Sequence, residues 1–175
     1  MQAVEIALRT PAALGALERC CSAFPEMIVG AGTVLTADQA KSVKDAGATF
    51  AVSPGLNPTT VEATQDLDLP FAPGVITPSD IELAVSLGCR TLKLFPAGPM
   101  GGLDYLKVVA APFSHLGVRF IPLGGINAAN ARAYVSDPHV LAIGGSWLAS
   151  PAAIEAADWA GVEQRSREAI DLVTT

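Results

Sequence analysis

The segment FAPGVITPSDIELAVSLGCRTLKLFPA, residues 71–97, contains the pattern that decides the fold of this chain. Two short apolar runs, residues 71–75 and 91–95, flank a stretch with helical texture that starts with Thr77 and Pro78 and stops at Gly88. Proline in the first turn and glycine just past the last turn are typical of a helix. The segment therefore predicts one βαβ unit with two parallel strands.

Short apolar runs of this kind recur along the chain with a period of about twenty residues, which is typical of a repeated structural unit. The predicted strands cover residues 3–8, 27–29, 49–53, 71–75, 91–95, 119–123 and 140–143. The predicted helices cover residues 12–24, 36–47, 59–67, 78–88 and 128–137. Strands that alternate with helices place the chain in the α/β class and predict a parallel sheet.

The residues at the strand ends favour a closed TIM (β/α)8-type barrel over an open doubly wound sheet. Nearly every predicted strand ends in a small, polar or Gly/Pro cluster: LRTP, GAGT, SPG, PGV, FPAG, LGG and IGGS. Active sites of barrels collect residues from the C-terminal ends of many strands, whereas an open sheet concentrates them at one crevice. A barrel typically needs about 200 residues or more, so 175 residues with seven predicted strands are few.

We expect a single (β/α) barrel domain over residues 1–175, in which residues 151–175 form a C-terminal helix packed on the barrel. Apolar residues from Trp159 onward recur at spacings of three to four residues, and Asp158 is a candidate N-cap. This helix is expected to cover the barrel wall or one end and to have no catalytic role.

Charge and composition exclude several classes of protein. The 11 basic and 17 acidic residues give a net charge of -6, which is the wrong sign for binding duplex nucleic acid. The longest stretch without a formal charge, residues 138–154, is too short and too interrupted to span a membrane. No secretory signal is evident, and three cysteines fit neither a disulfide framework nor a zinc site. We therefore expect a cytoplasmic protein without nucleic-acid or membrane partners.

Lys93 is the first candidate catalytic residue, because it lies inside an otherwise apolar predicted strand. Strand alternation places Leu92 and Leu94 on one face and Lys93 on the other, so the lysine of a barrel strand faces the interior. Burial disfavours the ammonium form, and a neutral amine is a nucleophile that forms a Schiff base with a ketone. A structural lysine paired with a carboxylate in the core fits this strand equally well.

The first predicted strand supplies a carboxylate for the same interior. In AVEIALRT, residues 3–10, the apolar side chains at 4, 6 and 8 face one way, while Glu5 and Arg9 face the other. A carboxylate and a lysine in a water-poor interior form the acid/base and nucleophile pair that imine chemistry requires. Arg9 is a candidate clamp for a substrate carboxylate. The alternative is that Glu5 only forms a salt bridge with Lys93 or Arg9.

Glycine pairs at the ends of the last two predicted strands indicate a phosphate site. PLGGI contains Gly124 and Gly125, and IGGS contains Gly144, Gly145 and Ser146. Glycine lets backbone N–H groups approach an anion closely, and a following helix N-terminus adds its dipole. The loops after the last two barrel strands are a common phosphate site. A tight turn explains either pair alone, but the two together favour phosphate.

A third glycine-rich stretch, GAGT, follows the second predicted strand. It contains Gly30 and Gly32 but lacks the third glycine of a dinucleotide-binding fingerprint, so it is weak support for such a site. Thr33 is a candidate hydroxyl donor to a substrate carboxylate.

At these residues the chain resembles the 2-keto-3-deoxy-6-phosphogluconate (KDPG) / 4-hydroxy-2-oxoglutarate (KHG) aldolases. The resemblance runs from Glu5 to about Ala149 through VEIALRT, VGAGTVLT, AVSPGLNP, PGVITPS, LKLFPA, LGGIN and IGGSWL. It implies a class I aldolase of the Entner–Doudoroff pathway, a homotrimeric TIM barrel that cleaves a phosphorylated keto acid into pyruvate and glyceraldehyde 3-phosphate. It implies no cofactor and no metal.

The resemblance also implies a role for each matching residue. Lys93 corresponds to the Schiff-base lysine, and Glu5 to the general acid/base. Arg9 and Thr33 correspond to the residues that bind the substrate carboxylate. Pocket residues are Pro54, Phe95 and Leu123, and phosphate-binding residues are Gly124, Gly125, Gly145 and Ser146.

Two positions depart from the family pattern, and they leave alternatives open. Leu123 replaces a threonine before the glycine pair, so the preference between C4 epimers, including the galactonate-type substrate, is open. Ala7 replaces a common threonine on the inward face, and both changes are compatible with imine chemistry. Family members carry one further βα unit before Glu5, so we expect that the first unit of the barrel is missing from this chain. The alternatives are an isomerase or synthase on another phosphate-binding barrel, and a truncated, catalytically impaired barrel.

Overall fold

The computed structural model describes residues 3–174, with side chains up to residue 172. The chain forms two compact units, one that extends to Lys93 and one that begins at Leu94. Strands largely alternate with helices in the first unit, and the paired strands of its sheet run parallel. The predicted α/β class is therefore confirmed, and seven strands are present among residues 3–174.

The first unit contains six strands and four helices. Its strands are β1 (Ala3–Ala7), β2 (Ile28–Gly32), β3 (Phe50–Val52), β4 (Phe71–Ala72), β5 (Gly74–Val75) and β6 (Thr91–Leu94), the last of which continues into the second unit. Its helices are α1 (Ala13–Ala23), α2 (Ala37–Asp45), α3 (Pro58–Asp66) and α4 (Pro78–Ser86). The first four strands form a parallel sheet in the order β1-β2-β3-β4.

The hydrophobic core of the first unit lies between this sheet and its helices. Buried side chains from β2, β3, α1 and α2 form the cluster, which includes Val29, Ala31 and Ala51. The apolar residues of β1, Val4 and Ile6, pack against it. Strand alternation then turns Glu5 to the opposite face, as the sequence pattern predicts.

Two predicted strands of this unit differ from those observed. The predicted strand 71–75 is two short strands, β4 and β5, on either side of Pro73. Proline has no N–H to donate, although the Pro73 carbonyl still accepts from the Lys93 N–H at 2.9 Å. The predicted strand 27–29 extends to Gly32, because its glycines lie within the sheet and not in a turn.

The described part of the second unit contains one further strand, β7 (Arg119–Pro122), and its other regular elements are helices. Its helices are α5 (Gly102–Ala110), α6 (Ala131–Val135), α7 (Pro151–Glu155) and α8 (Trp159–Thr174), with 3-10 helices at Gly98–Met100 and Ala111–Leu116. The α5 helix was not predicted, since its glycine-rich start and adjacent valines are typical of a loop and a strand. The apolar spacing of Leu103, Leu106 and Val109 is its one helical signal.

The predicted strand 140–143 is wrong, because only one isolated bridge joins Val140 to Phe120 of β7. The Phe120 N–H donates to His139, and the Leu141 N–H donates back to Phe120, at 2.7 and 2.8 Å. The next ladder bond requires an N–H at position 122, where proline has none. The pairing therefore stops after one step.

The C-terminal segment is two helices, α7 and α8, and not the one that the sequence pattern predicts. Ala157 has a positive φ of 50°, which separates them. Asp158 caps α8 as expected, since its carboxylate accepts from the Gly161 N–H at 3.0 Å. No helix among residues 3–174 combines the length and the apolar character needed to cross a bilayer.

The start of α4 provides a test of how local capping stabilises the first unit. The Thr77 hydroxyl accepts from the Asp80 N–H at 3.2 Å, and the Asp80 carboxylate accepts from the N–H groups of Thr77 and Ile76 at 2.8 and 3.0 Å. Burial opposes ionisation of Asp80, but these hydrogen bonds outweigh it and lower the pKa of the carboxyl.

We expect Asp80→Ala to lower the free energy of unfolding by about 1 kcal/mol at pH 7. Because the folded-state pKa lies below the usual 3.8, this stabilisation is present above pH 4 and is lost as the pH falls through the folded-state value. Urea unfolding from pH 7 to pH 3 measures the difference. Glu82→Ala removes an exposed carboxylate from the same helix, and equal losses in the two variants would contradict the capping role.

Candidate active site

Lys93 is buried on β6, as the alternation of its strand predicts. Its exposed fraction is 5 %, and its neighbours Leu92 and Leu94 are fully buried. The Lys93 backbone N–H is bound by the Pro73 carbonyl, which fixes the strand on the side of β5. A buried ammonium requires a charged partner or a lowered pKa.

Glu5 is the charged partner of Lys93. Its Oε1 lies 3.5 Å from Lys93 Nζ, and its side chain is 25 % exposed. The carboxylate lies directly over Gly32 of β2, where an added Cβ would be 2.6 Å from Glu5 Cδ and would overlap Oε1. Glycine at position 32 therefore leaves the space that brings the carboxylate to the lysine.

The surroundings of Lys93 shift its equilibrium between the neutral amine and the charged ammonium form. Burial lowers the pKa of Lys93, the nearby Glu5 carboxylate raises it, and the positive charge of Arg9 lowers it, and the net direction is downward. A lysine with a lowered pKa provides more neutral amine near neutral pH. The site thus places an amine with a lowered pKa 3.5 Å from a carboxylate, and such a pair has the chemistry of a nucleophile and an acid/base group.

The two residues predicted to bind a carboxylate lie at the ends of β1 and β2. Arg9 is exposed, two residues past the end of β1. Thr33 is half-buried and directly follows β2, with a positive φ of 61°. This conformation is strained for a β-branched residue, and such strain is concentrated at functional positions.

Pro54, a predicted pocket residue, follows β3 and is held against β5. An added Cβ at Gly74 would overlap the Pro54 backbone, and the Gly74 N–H donates to the Gly55 carbonyl at 3.2 Å. The buried Ser53 hydroxyl donates to the same carbonyl at 2.6 Å. Pro54 also lines an open cavity of about 260 Å³, whose lining does not include Lys93 or Glu5.

The remaining predicted site residues lie in the second unit, where β7 and the segment after β6 meet. Gly124 and Gly125 have φ values of 87° and 88°, which favour glycine. An added Cβ at Gly124 would lie 3.3 Å from Phe95 Cε2, and the Gly98 N–H donates to the Gly124 carbonyl at 2.7 Å. Phe95 and Gly124 are therefore in contact.

The second glycine segment, which contains Gly144 and Gly145, lies close to the residues on either side of the first glycine pair. An added Cβ at Gly144 would lie 3.1 Å from the Leu123 side chain, and one at Gly145 would lie 3.0 Å from the Ile126 carbonyl oxygen. Ser146 follows and is exposed. The next helices, α6 and α7, begin at positions 131 and 151 and have five residues each, so no long helix N-terminus directly follows either glycine pair.

Sequence reasoning missed three residues that shape these segments. Asn130 donates from Nδ2 to the Gly125 carbonyl at 2.9 Å, and its Oδ1 accepts from the Asn127 N–H at 2.8 Å. Ser53 and Phe50 were likewise not predicted, although both lie on the strand or loop that precedes Pro54. A polar residue directly after a buried strand was the available signal for Ser53.

Among residues 3–174, no three histidine, cysteine, aspartate or glutamate side chains lie close enough together to bind a metal ion. The thiols of Cys20, Cys21 and Cys89 are free.

The model of the aldolase family described as KDPG and KHG aldolase matches residues 1–165. A KHG/KDPG aldolase of Escherichia coli K12 is 42 % identical over 171 residues, which are 98 % of this chain and 79 % of that protein.

Two solved structures are similar over nearly the whole chain. One is a KDPG aldolase from Legionella pneumophila with pyruvate captured at low pH as a covalent carbinolamine intermediate; it has a TM-score of 0.90 and 36 % identity, over 98 % of this chain and 81 % of that one. The other is a KDPG aldolase of Zymomonas mobilis ZM4 with 3-phosphoglycerate, with a TM-score of 0.86 and 37 % identity, over 96 % and 78 %. This similarity confirms the predicted fold class, an α/β fold of the TIM-barrel type.

The lowered pKa of Lys93 leads to a direct test. We expect acylation of Lys93 by trace acetic anhydride to increase with pH around a midpoint below the usual 10.5, because only the neutral amine reacts. In Glu5→Gln the midpoint should fall further, since the carboxylate that favours the ammonium form is gone. Mass spectrometry of the Lys93 peptide, normalised to the exposed Lys41, measures both midpoints. A midpoint that stays or rises in Glu5→Gln would contradict the electrostatic coupling.

Proposed function

Because the chain belongs to the KDPG and KHG aldolase family, we propose that it is a class I aldolase that cleaves 2-keto-3-deoxy-6-phosphogluconate to pyruvate and glyceraldehyde 3-phosphate. The observation that carries the proposal is the buried Lys93 amine with the Glu5 carboxylate 3.5 Å away. This pair supplies a nucleophile and an acid/base group, which are the two groups that imine-forming cleavage needs. The E. coli relative named KHG/KDPG aldolase supports 4-hydroxy-2-oxoglutarate as a second substrate.

The first half of the reaction forms an electron sink on Lys93. The neutral amine attacks the C2 ketone of the substrate, and loss of water from the carbinolamine gives an iminium ion. Glu5, through a water molecule, removes the proton of the C4 hydroxyl. The C3–C4 bond then breaks, its electron pair moves towards the iminium nitrogen, and glyceraldehyde 3-phosphate leaves as the aldehyde.

The second half regenerates the enzyme. The enamine left on Lys93 takes a proton at C3 from the Glu5 carboxyl, which was protonated in the first half of the reaction. Hydrolysis of the resulting imine releases pyruvate and the free amine. The net reaction consumes one substrate and yields two products, with the water lost in imine formation returned in hydrolysis.

The other site residues bind the ends of the substrate. Arg9 and the Thr33 hydroxyl bind the carboxylate, with Pro54 and Phe95 against the pyruvyl carbons. We assign the phosphate to the backbone N–H groups of the second unit's two glycine segments and to Ser146, a choice that the positive φ of Gly124 and Gly125 supports. The Zymomonas structure, solved with a phosphorylated three-carbon acid, is consistent with this assignment.

We also propose a cellular compartment and an oligomeric state for this protein. Three free thiols suit a reducing compartment, which supports the cytoplasm. The family resemblance supports a homotrimer, for which light scattering would give three times the chain mass of 17.9 kDa.

Cleavage assays test the proposed activity. We expect pyruvate release from 2-keto-3-deoxy-6-phosphogluconate, followed with lactate dehydrogenase, to be lost in Lys93→Ala and lowered by about 10²-fold or more in Glu5→Gln. Lys41→Ala is the control, because it removes an exposed lysine from the same unit. Assays with the C4-epimeric galactonate and with 4-hydroxy-2-oxoglutarate define the preference, which Leu123 leaves open. Unchanged turnover in Glu5→Gln would remove Glu5 from the mechanism.

Phosphate recognition can be separated from chemistry by comparing two substrates. We expect Ser146→Ala to raise the KM for the phosphorylated substrate by about tenfold, which is the usual effect of losing a hydrogen bond to a charged group. The KM for 4-hydroxy-2-oxoglutarate, which has no phosphate, should be unchanged. If both values rise equally, Ser146 has no specific role with phosphate.

A further inference from the structure

We propose that Phe50 is a positioning residue for Glu5: its ring fills the space over Gly30 and leaves the carboxylate only the space over Gly32, next to Lys93. The inference rests on the proposed function, because it gives Phe50 a role in turnover. It concerns three neighbouring strands of the first unit.

The register of the sheet puts the relevant residues in one row. Glu5 of β1 lies opposite Gly30 of β2, and Gly30 lies opposite Phe50 of β3. Gly32 is the next residue on the same face of β2, one step nearer the C-terminal end of the strand.

These residues share the face that points away from the helices. Ala31 and Ala51 belong to the hydrophobic core between the sheet and its helices. Their sequence neighbours Gly30, Gly32 and Phe50 therefore point to the other side, where Glu5 also points.

The two glycines leave two gaps on this face, and each gap is filled from a different strand. An added Cβ at Gly30 would overlap Cζ, Cε1 and Cε2 of Phe50, so the tip of the ring lies over that residue. An added Cβ at Gly32 would overlap the carboxylate of Glu5. The Phe50 ring thus reaches over β2 from β3, and the Glu5 carboxylate reaches over it from β1, so the two side chains lie side by side.

This arrangement restricts the direction of the Glu5 side chain. Glu5 is directly opposite Gly30, so an empty gap there would offer its carboxylate a second position over β2. The observed position over Gly32 is the one that holds Oε1 at 3.5 Å from Lys93 Nζ. Displacing a reacting group by about 1 Å can cost up to 10²-fold in rate, so loss of this restriction affects turnover.

A partial reaction separates positioning of Glu5 from formation of the imine. With pyruvate in D2O, the imine on Lys93 loses a methyl proton to the Glu5 carboxylate, and the C–H electrons form the enamine. Return of a deuteron from the exchanged carboxyl gives labelled pyruvate, which NMR detects. Borohydride trapping of pyruvate at saturation reports on the imine alone.

The test compares Phe50→Ala with Phe71→Ala. Both phenylalanines are half-buried at the start of neighbouring strands, but Phe71 packs against the hydrophobic core on the helix side of the sheet. We expect Phe50→Ala to lower kcat and methyl exchange by about tenfold or more, with saturating pyruvate trapping within about twofold of the wild type. Phe71→Ala should change neither activity by more than about threefold per folded molecule, although it removes the same atoms.

A compensating substitution provides a rescue experiment. The methyl group in Gly30→Ala takes the space of the ring tip, so this variant alone should displace Phe50 and lower exchange. In the double variant Gly30→Ala, Phe50→Ala, the methyl refills the gap, and exchange should recover part of the loss. Such non-additivity is expected only for residues that share one space. If Phe50→Ala does not fold, Phe50→Leu replaces it in both comparisons.

The outcomes distinguish the two proposals. If the wild type traps no pyruvate, the proposed aldolase function fails. If the wild type is active but the Phe50 and Phe71 variants lose activity equally, or trapping falls together with exchange, or the double variant is no better than Phe50→Ala, the positioning role of Phe50 is overturned. Glu5→Gln serves as the reference, since its exchange rate marks the full loss of the carboxylate.

Discussion

The ion pair between Glu5 and Lys93 is the interaction on which the proposed chemistry of this protein depends. Lys93 is only 5 % exposed, and a buried lysine is tolerated only if it is neutral or paired with an opposite charge. The Glu5 carboxylate, 3.5 Å from Lys93 Nζ, is such a charge. Two opposing effects act on the pKa of the Lys93 amine: burial favours the neutral form, and the Glu5 carboxylate favours the charged form. In the proposed mechanism the Lys93 amine is neutral for attack and then carries the iminium charge, and these opposing influences suit both states.

Space for this pair comes from residues without side chains. Gly30 and Gly32 lie within β2, and the gaps over them hold the Phe50 ring and the Glu5 carboxylate. The same device holds the loop after β3, because Gly74 lets the Pro54 backbone come close. The pairing of the parallel strands fixes the backbone positions of Glu5 and Phe50. The two glycines leave the space into which the side chains of these residues extend.

Much of this arrangement was predictable because it follows from alternation. One lysine in the apolar run of β6 and one glutamate in β1 each lie opposite core residues, so their direction follows from strand geometry alone. What fills the space over a glycine depends on the neighbouring strand, which no single stretch of sequence specifies. GAGT therefore gave only weak support for a dinucleotide site, and the proposed role of Phe50 was not predicted.

The other errors have equally local causes. The strand predicted at 140–143 ends after one bridge because Pro122 has no N–H to continue the ladder, and Pro73 divides the predicted strand 71–75. Apolar runs predict strands, but hydrogen-bond donors on the neighbouring strand decide their length.

The most direct test of the central claim is the position of the covalent bond. The purified protein is incubated with pyruvate and borohydride, and tandem mass spectrometry of its peptides locates the reduced pyruvyl group. We expect modification of Lys93 and of none of the other lysines, Lys41, Lys44 and Lys107. The absence of an adduct, or one on another lysine that persists in Lys93→Ala, would contradict it.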